Sequence, residues 1–311
     1  MSDVTVETGP VGTGSRSSSP RLRRRIAAFV ALTKPRIIEL LLVTTVPTMI
    51  VAQRGLPSVW LMVATVVGGT LSAGGANTFN MYVDRDIDRL MQRTAKRPLV
   101  TGEVEPTEAL VFGLVIEAAA FVLLWAAVNL LSALLALAAC LFYVFVYTLW
   151  LKRTSAQNIV IGGAAGAAPV LIGWAAVTDS LAIEPWILFA LIFLWTPPHF
   201  WALAIKYAED YKAASVPMMP SVRSARSTAV QMVLYTVPTV ALGTVFGFVA
   251  DLGWVYQAGA TASGLWFLVE TVRLLDDLST RRAMRVFGVS ITYLTVVFAA
   301  MAADVLTSSW L

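Results

Sequence analysis

Nine apolar stretches, each about 20 residues long, constrain the fold of this chain more than any other feature. Hydrophobic residues make up 58% of the sequence and charged residues only 14%. A helix needs about 20 apolar residues to cross a bilayer. A soluble domain does not require such long apolar runs, and it normally contains more charged residues. We predict membrane-spanning helices at roughly residues 37–53, 57–79, 109–127, 130–150, 158–177, 185–205, 229–250, 254–272 and 286–306.

This pattern predicts an all-α polytopic membrane protein in which nine transmembrane helices form a bundle. The loops after the second and sixth spans are long and densely charged, and we expect them to form a cap on the cytoplasmic side. No soluble domain fits between the spans, so residues 31–311 are expected to form a single transmembrane domain. Residues 1–30 are rich in Ser, Gly and Arg and are expected to form a disordered basic tail in the cytoplasm.

The cations lie almost entirely on one side of the predicted bundle. Of the 23 Lys and Arg residues, 22 fall on the side of the N-terminus and only Arg54 falls on the other. Because cytoplasmic loops are enriched in Lys and Arg, we predict a cytoplasmic N-terminus and an external C-terminus. The same bias explains the net charge of +4 without a nucleic-acid partner. The early acids Asp3 and Glu7, and the lack of a recognisable secretory signal, favour a bacterial plasma membrane.

The loop after the second span begins with acids in helical spacing. Asn80, Asp84 and Asp88 are four residues apart, so on a helix they share one face. Asp86 points to another face and is the least suitable of the three acids as a metal ligand. Magnesium is usually held by one or two carboxylates together with phosphate oxygens and water. We therefore predict Mg²⁺ at Asp84 and Asp88, positioned to bind a diphosphate.

Three cations, Arg93, Lys96 and Arg97, follow the acids. Guanidinium and ammonium groups can clamp phosphate oxygens, which fits a lipid diphosphate bound at the membrane surface. The alternative is a solvated charged loop that sets membrane topology, with Arg–Asp pairs neutralising each other. The helical phasing of the acids favours the binding site.

This stretch resembles the first aspartate-rich motif of the UbiA-type intramembrane prenyltransferases. The resemblance implies a helical membrane enzyme that ionises a prenyl diphosphate. It makes Asp84, Asp88 and Arg97 the expected catalytic residues, with Asn80, Arg93 and Lys96 binding the diphosphate. The matching positions are Asn80, Asp84, Ile87, Asp88, Arg93, Thr94, Arg97 and Gly102.

The sixth span contains the only histidine of the protein, His199, directly after Pro197 and Pro198. Prolines inside a span usually mark a packed or cavity-lining site, and ionisable residues at membrane depth tend to be functional. Neutral imidazole ligates iron and other metals, and Trp195, Phe200 and Trp201 offer flat aromatic surfaces nearby. The alternative is a buried histidine bonded to a neighbouring helix.

Four segments resemble one branch of that family, the protohaem IX farnesyltransferases. They are residues 195–201, 210–218, 158–163 and 32–36. The branch transfers a farnesyl group from farnesyl diphosphate to a vinyl group of haem b, with addition of water, to give haem O. The resemblance makes His199, Tyr211 and Asn158 candidates for haem contacts, with His199 as iron ligand. It also implies haem A synthase or a terminal oxidase as a partner.

The second aspartate-rich motif of the wider family is reduced in this chain. Only Asp210 is acidic at a matching place, while position 206 is Lys and position 214 is Ala. We expect Asp210 to contribute to metal binding, and Lys206 and Lys212 to supply part of the positive charge at the diphosphate.

Three other functions fit parts of the pattern. A prenyltransferase of the same family could act on a quinone precursor or another aromatic acceptor, but the reduced second motif and the surroundings of His199 favour haem. A transporter usually places its polar residues near the middle of the membrane, whereas here the charges lie at the rim. If the protein were a haem-binding assembly factor, Asp84, Asp88 and Arg97 would have no role.

Overall fold

All regular secondary structure in the part of the chain that the structure describes is helical. The structure is a computed structural model that describes the backbone of residues 19–308 and the side chains of residues 21–35 and 43–307. Residues 1–18, and with them most of the predicted tail, lie outside the described residues. In chain order the helices are α1 (Ser19–Leu32), α2 (Pro35–Gln53), α3 (Val59–Val83), α4 (Arg85–Asp88), α5 (Pro98–Thr101), α6 (Pro106–Ala127), α7 (Leu130–Leu141), a π-helix (Phe142–Leu151), α8 (Lys152–Thr154), α9 (Asn158–Thr178), α10 (Ile183–Lys206), α11 (Ala208–Ala213), α12 (Met219–Val222), α13 (Ala225–Val249), α14 (Trp254–Arg273) and α15 (Thr280–Ser308).

The long helices lie at the positions of the predicted spans. Within the described residues, seven helical segments are long and apolar enough to cross a membrane, which supports a multi-pass membrane protein. The predicted span at residues 37–53 coincides with α2, of which Val43–Gln53 is a shorter apolar segment. The predicted span at residues 254–272 coincides with α14, where Gln257 and Glu270 reduce the hydropathy.

Close helix approach in the first half of the bundle depends on small residues. Helices α3 and α6 pack along each other. At Gly113 on α6, an added Cβ would lie 2.9 Å from a ring carbon of Phe79, and at Gly75 on α3 it would lie 2.8 Å from a carboxylate oxygen of Glu117. Small residues permit such approach within a membrane, where packing rather than a hydrophobic driving force holds helices together.

The fourth span changes its helical period half-way along. Helix α7 continues as a ten-residue π-helix and ends in α8. The hydroxyl of Thr148 donates to the carbonyl of Tyr143, five residues earlier, at 2.9 Å, and the N–H of Lys152 bonds the carbonyl of Tyr147. Such segments are rare and occur frequently at functional sites. The wider turn brings residues five apart onto one face.

Helix α1 occupies part of the segment predicted to be a disordered tail. The pattern of residues 1–30 predicts disorder, whereas the structure is helical from Ser19 to Leu32. Ala28 and Leu32 lie four residues apart and are buried, at 3% and 0% exposure, in a cluster with Met81 and Leu99. Because of this apolar contact, the end of the basic segment packs against the bundle.

The two long polar loops meet at the same end of the bundle. The first contains α4 and α5, and the second contains α11 and α12. The guanidinium of Arg93, in the first loop, donates to the hydroxyl of Tyr211, in the second, at 3.5 Å. Its Cζ also lies 5.6 Å from the ring centroid of Tyr207.

A buried carboxylate joins the last two long helices. Glu270, near the end of α14, is 1% exposed and forms ion pairs of 3.0–3.1 Å with Arg273, Arg282 and Arg285. Arg282 also lies 3.6 Å from Asp277 in the connecting loop. A buried charge of this kind is stable only when it is well paired.

Replacing Glu270 by Gln is expected to lower the free energy of unfolding by about 3 kcal/mol, because three arginines then lose their shared partner. Asp277→Asn is the matched control, since Asp277 is 51% exposed and exposed pairs contribute about 1 kcal/mol or less. Chemical unfolding in detergent micelles measures both values. Equal stability of the two variants would contradict a special role for Glu270.

Candidate active site

Asn80, Asp84 and Asp88 lie on consecutive helical turns at the junction of α3 and α4. The N–H of Asp84 donates to the carbonyl of Asn80, and the N–H of Asp88 to that of Asp84, each at 2.9 Å. The residues are 3%, 0% and 2% exposed, respectively. The predicted polar stripe therefore forms, and it is buried rather than solvated.

Asp84 is held by Asn80, one turn earlier on α3, and by two cations of α8. One carboxylate oxygen, Oδ2, accepts from the ammonium of Lys152 and, at 2.7 Å, from Nδ2 of Asn80. The other oxygen, Oδ1, lies 3.7 Å from the guanidinium of Arg153 and has no hydrogen-bond partner in the described part of the chain. Asp84 therefore keeps one oxygen available for a further ligand.

Asp88 and Asp86 have separate partners. The guanidinium of Arg97 donates to Oδ2 of Asp88 at 2.6 Å. Asp86 accepts two hydrogen bonds of 2.7 Å from Arg153, and this pairing lowers the pKa of Asp86 to about 2. Asp86 is 60% exposed and belongs to a different face from Asp84, as its spacing predicts.

Lys34 approaches the acids from the junction of α1 and α2. Its ammonium donates to Oδ1 of Asn80 at 2.8 Å. Burial, together with the positive charges of Arg97 and Lys152, holds the pKa of Lys34 well below its usual range, while Asp84 and Asp88 oppose the shift. Where the local dielectric is low, cations that lie this close together repel each other strongly, and a bound anion stabilises them.

Sequence reasoning missed four residues of this site. The sequence pattern places these residues in other loops or in a span. Two of the cations served there only as indicators of membrane topology. The five-residue spacing of Thr148 from Tyr143 is a π-helical period that an ordinary helical pattern does not show. The missed residues are Lys34, Thr148, Lys152 and Arg153.

An apolar cavity of about 190 Å³ lies between α3, α7 and α9. Its wall is made mostly of small residues, and Tyr143 forms part of it. Tyr143 stacks on Tyr147 with ring centroids 5.2 Å apart. The carbonyl of Tyr143 accepts from Thr148, whose hydroxyl lies 3.2 Å from Nδ2 of Asn80. The cavity therefore adjoins the charged end of the bundle, an arrangement suited to a ligand with a polar head and an apolar tail.

A second, polar pocket lies between the two long loops. Arg93, Lys206 and Asp210 are all brought to it, with Tyr207 between them. The ammonium of Lys206 lies 5.5 Å from the centroid of that tyrosine ring. Lys96 and Lys212 are exposed on the same two loops. Of the predicted cations, Arg97 lies at the buried acids and Arg93 and Lys206 line this pocket, whereas Lys96 and Lys212 lie at neither site.

Tyr211 and Asn158 lie against the loops rather than against His199. Tyr211 is 4% exposed and contacts Arg93, and burial raises its pKa. Asn158 donates to the carbonyl of Ser155 at 2.7 Å and to that of Pro217 at 3.5 Å. Its Oδ1 has no hydrogen-bond partner among the residues that the structure describes.

His199 lies between two aromatic rings and bonds a neighbouring helix. Trp195 stacks on one face with ring centroids 4.1 Å apart, and Phe287 of α15 stacks on the other at 4.6 Å. Nδ1 lies 2.8 Å from the hydroxyl of Ser290. The predicted aromatic surroundings are correct for Trp195, but Trp201 packs on Tyr235 instead. The second face is supplied by a distant helix that local sequence cannot reveal.

The acids fit a magnesium ion that is shared with a substrate. Among the described side chains, no three His, Cys, Asp or Glu residues cluster into a complete metal site. Asp84 has one oxygen without a hydrogen bond, and Asp88 uses Oδ2 for Arg97. Two partly free carboxylates suit Mg²⁺, which commonly takes its remaining ligands from phosphates and water.

Comparison with known proteins identifies the family. The profile of the UbiA prenyltransferase family matches residues 41–302, which is most of the chain. The chain belongs to the UbiA prenyltransferase family. It is therefore a prenyltransferase, and this membership decides against the transporter and the assembly factor.

One relative and two solved structures illustrate the similarity. The protoheme IX farnesyltransferase of Pseudarthrobacter chlorophenolicus is 54% identical over 295 residues, covering 93% of this chain and 92% of the relative. The structure of a digeranylgeranylglyceryl phosphate synthase aligns with a TM-score of 0.76 at 17% identity, covering 91% of this chain and 99% of that chain. A UbiA homolog from Archaeoglobus fulgidus bound to GPP and Mg²⁺ aligns with a TM-score of 0.62 at 19% identity, over 88% and 99% of the two chains. The two structural similarities show that this chain has the same fold as those proteins.

Lys152→Met is expected to reduce prenyl transfer about 100-fold, because it removes a preorganised positive charge from the buried site. Arg89→Met is the matched control, since Arg89 is an exposed cation in the first loop. Turnover with a radiolabelled prenyl diphosphate, normalised to folded protein, measures both. Normal turnover by the Lys152 variant would show that its pairing with Asp84 is dispensable.

Proposed function

We propose that this chain transfers the farnesyl group of farnesyl diphosphate to a vinyl group of haem b. The observation that carries the proposal is the buried Asp84–Asp88 pair, surrounded by cations, beside an apolar cavity. The choice of haem is supported by 54% identity to a curated protoheme IX farnesyltransferase and by the half-buried imidazole of His199, stacked between two aromatic rings.

The charged end of the bundle binds the diphosphate in this proposal. Asp84 and Asp88, with Asp210 at the outer pocket, would hold Mg²⁺, which would neutralise charge on the phosphate oxygens. The proposal finds support in the GPP- and Mg²⁺-bound structure of the Archaeoglobus fulgidus homolog. The side chains that contact the diphosphate are Lys34, Asn80, Arg93, Lys96, Arg97, Lys152, Lys206 and Lys212.

Ionisation of the allylic C–O bond leaves negative charge on the departing diphosphate and positive charge on the farnesyl group. Fixed cations such as Arg97 and Lys152 stabilise the leaving group without reorganisation at the moment of reaction. The stacked rings of Tyr143 and Tyr147 present aromatic faces that stabilise the allylic cation. The surrounding helices limit the access of water to it.

The acceptor half of the reaction takes place at the haem vinyl group. Its terminal carbon bonds C1 of the farnesyl cation, and the charge moves to the carbon next to the porphyrin. Water adds there and releases a proton, which leaves a hydroxyl group and gives haem O. His199 ligates the haem iron through Nε2, while Tyr211 and Asn158 supply polar contacts at the loop end.

The proposal places nine spans in a bacterial plasma membrane, with residues 31–311 as one domain. The N-terminus lies in the cytoplasm and the C-terminus outside, which the distribution of Lys and Arg supports. The two loops joined by Arg93 and Tyr211 then form a cytoplasmic cap. A haem A synthase or a terminal oxidase takes up the product.

The direct test incubates membranes that contain the protein with haem b, farnesyl diphosphate and Mg²⁺, followed by mass spectrometry of the haem. We expect a mass increase of one farnesyl group plus one hydroxyl group, lost when EDTA removes the metal. Membranes without the protein are the control. Prenylation of an added quinone precursor in place of haem would overturn the choice of acceptor while keeping the prenyltransferase.

Asp84→Asn and Asp88→Asn are each expected to reduce turnover at least 100-fold, because the loss of a carboxylate removes a metal ligand and its charge. The matched control, Asp86→Asn, alters an acid that pairs with Arg153 at the surface and is expected to retain most activity. Raising Mg²⁺ should partly restore the first two variants. Equal turnover by all three variants would contradict the metal assignment.

A further inference from the structure

Trp195 of α10 and two residues of α15, Phe287 and Ser290, form a clasp around His199. Trp195 and His199 are four residues apart on α10, and Phe287 and Ser290 are three apart on α15, so each pair lies on one helical face. The imidazole is stacked between Trp195 and Phe287 at 4.1 and 4.6 Å. The stack fixes the plane of the ring, and a hydrogen bond then selects between the two orientations related by a half-turn about the Cβ–Cγ bond.

Ser290 supplies that hydrogen bond and holds the tryptophan as well. It is 0% exposed. Its hydroxyl lies 2.8 Å from Nδ1 of His199 and 2.7 Å from the carbonyl of Phe287. Its own carbonyl accepts from Nε1 of Trp195 at 2.8 Å. A single residue therefore positions both members of the Trp195–His199 stack.

The single hydroxyl proton of Ser290 decides the tautomer of His199. If the hydroxyl donated to Nδ1, the ring proton would lie on Nε2, which has no hydrogen-bond partner among the described residues. If it donates to Phe287, as serines in helices commonly do with a preceding carbonyl, Nδ1–H donates to Ser290 and every polar hydrogen is satisfied. An unpaired donor is the rarer outcome in proteins, so the second arrangement is favoured.

We propose that Ser290 is a positioning residue that holds His199 as the Nδ1–H tautomer and presents the lone pair of Nε2 to the haem iron. This inference rests on the proposed function. His199 is half-buried, and its Nε2 has no hydrogen-bond partner among the described residues. A hydrogen bond from the second ring nitrogen orients a metal-ligating histidine and increases its basicity. The bond to a neighbouring helix and iron ligation are therefore compatible, because they use different nitrogens.

The first experiment compares Ser290→Ala with Ser290→Thr in the full-length protein in detergent, with haem b added. We expect Ser290→Ala to weaken haem affinity about tenfold or more and to shift the iron–histidine stretching band in the resonance Raman spectrum. Ser290→Thr keeps the hydroxyl and is expected to retain the band. An unchanged band in Ser290→Ala would overturn the proposal.

The second experiment uses chemical rescue and tests the same hydrogen bond from the side of the imidazole ring. In His199→Gly, imidazole is expected to occupy the space between Trp195 and Phe287 and to restore the spectrum of the ligated haem. The analogue 1-methylimidazole binds iron but cannot donate to Ser290, so it should need about tenfold higher concentration. In the double variant His199→Gly/Ser290→Ala, the two compounds should rescue equally. Equal rescue in the presence of Ser290 would overturn the proposal.

Failure of the proposed function is distinguishable from failure of this inference. If wild-type membranes form no farnesylated haem, the proposed acceptor is wrong. If they form it, but His199→Ala leaves both the haem spectrum and the affinity unchanged, iron ligation by His199 is wrong. If His199→Ala changes the spectrum and Ser290→Ala does not, only the positioning role of Ser290 is lost.

Discussion

The buried carboxylate of Asp84 is the group on which the charged end of the bundle depends. A fully buried charge is costly unless it is paired and hydrogen-bonded. Lys152 and Asn80 meet this requirement directly, and Lys34 bonds Asn80 in turn. These partners come from three separate parts of the chain, so satisfying Asp84 draws α2, α3 and α8 together. One carboxylate oxygen stays without a hydrogen bond among the described residues, as the proposed metal site requires.

The chemistry of the proposed reaction divides between two environments that the bundle keeps adjacent. The polar rim stabilises a departing anion, whereas the apolar cavity beside Tyr143 shields a cation from water. Neither environment suffices by itself, because ionisation requires the anion to be stabilised and transfer requires the cation to survive. His199 belongs to a third region, where α15 rather than a loop sets the geometry of the ring.

The acid stripe was predictable because helical spacing alone places Asn80, Asp84 and Asp88 on one face. Lys152 was not, since its contact with Asp84 spans 68 residues and depends on a π-helix without a recognised sequence pattern. The surroundings of His199 were predictable only in part. Trp195 is one turn away on the same helix, whereas Phe287 and Ser290 lie about 90 residues further along the chain.

By itself the sequence determined that this is a helical membrane protein, where its long helices lie and which acids share a face, because hydropathy and helical period are local properties. Its aspartate-rich motif also pointed to the family. Only the tertiary structure decided which cation pairs with which acid, that residues from Ser19 onward are helical, and which nitrogen of His199 remains free. Those outcomes depend on contacts between helices far apart in sequence, where burial makes each missing partner costly.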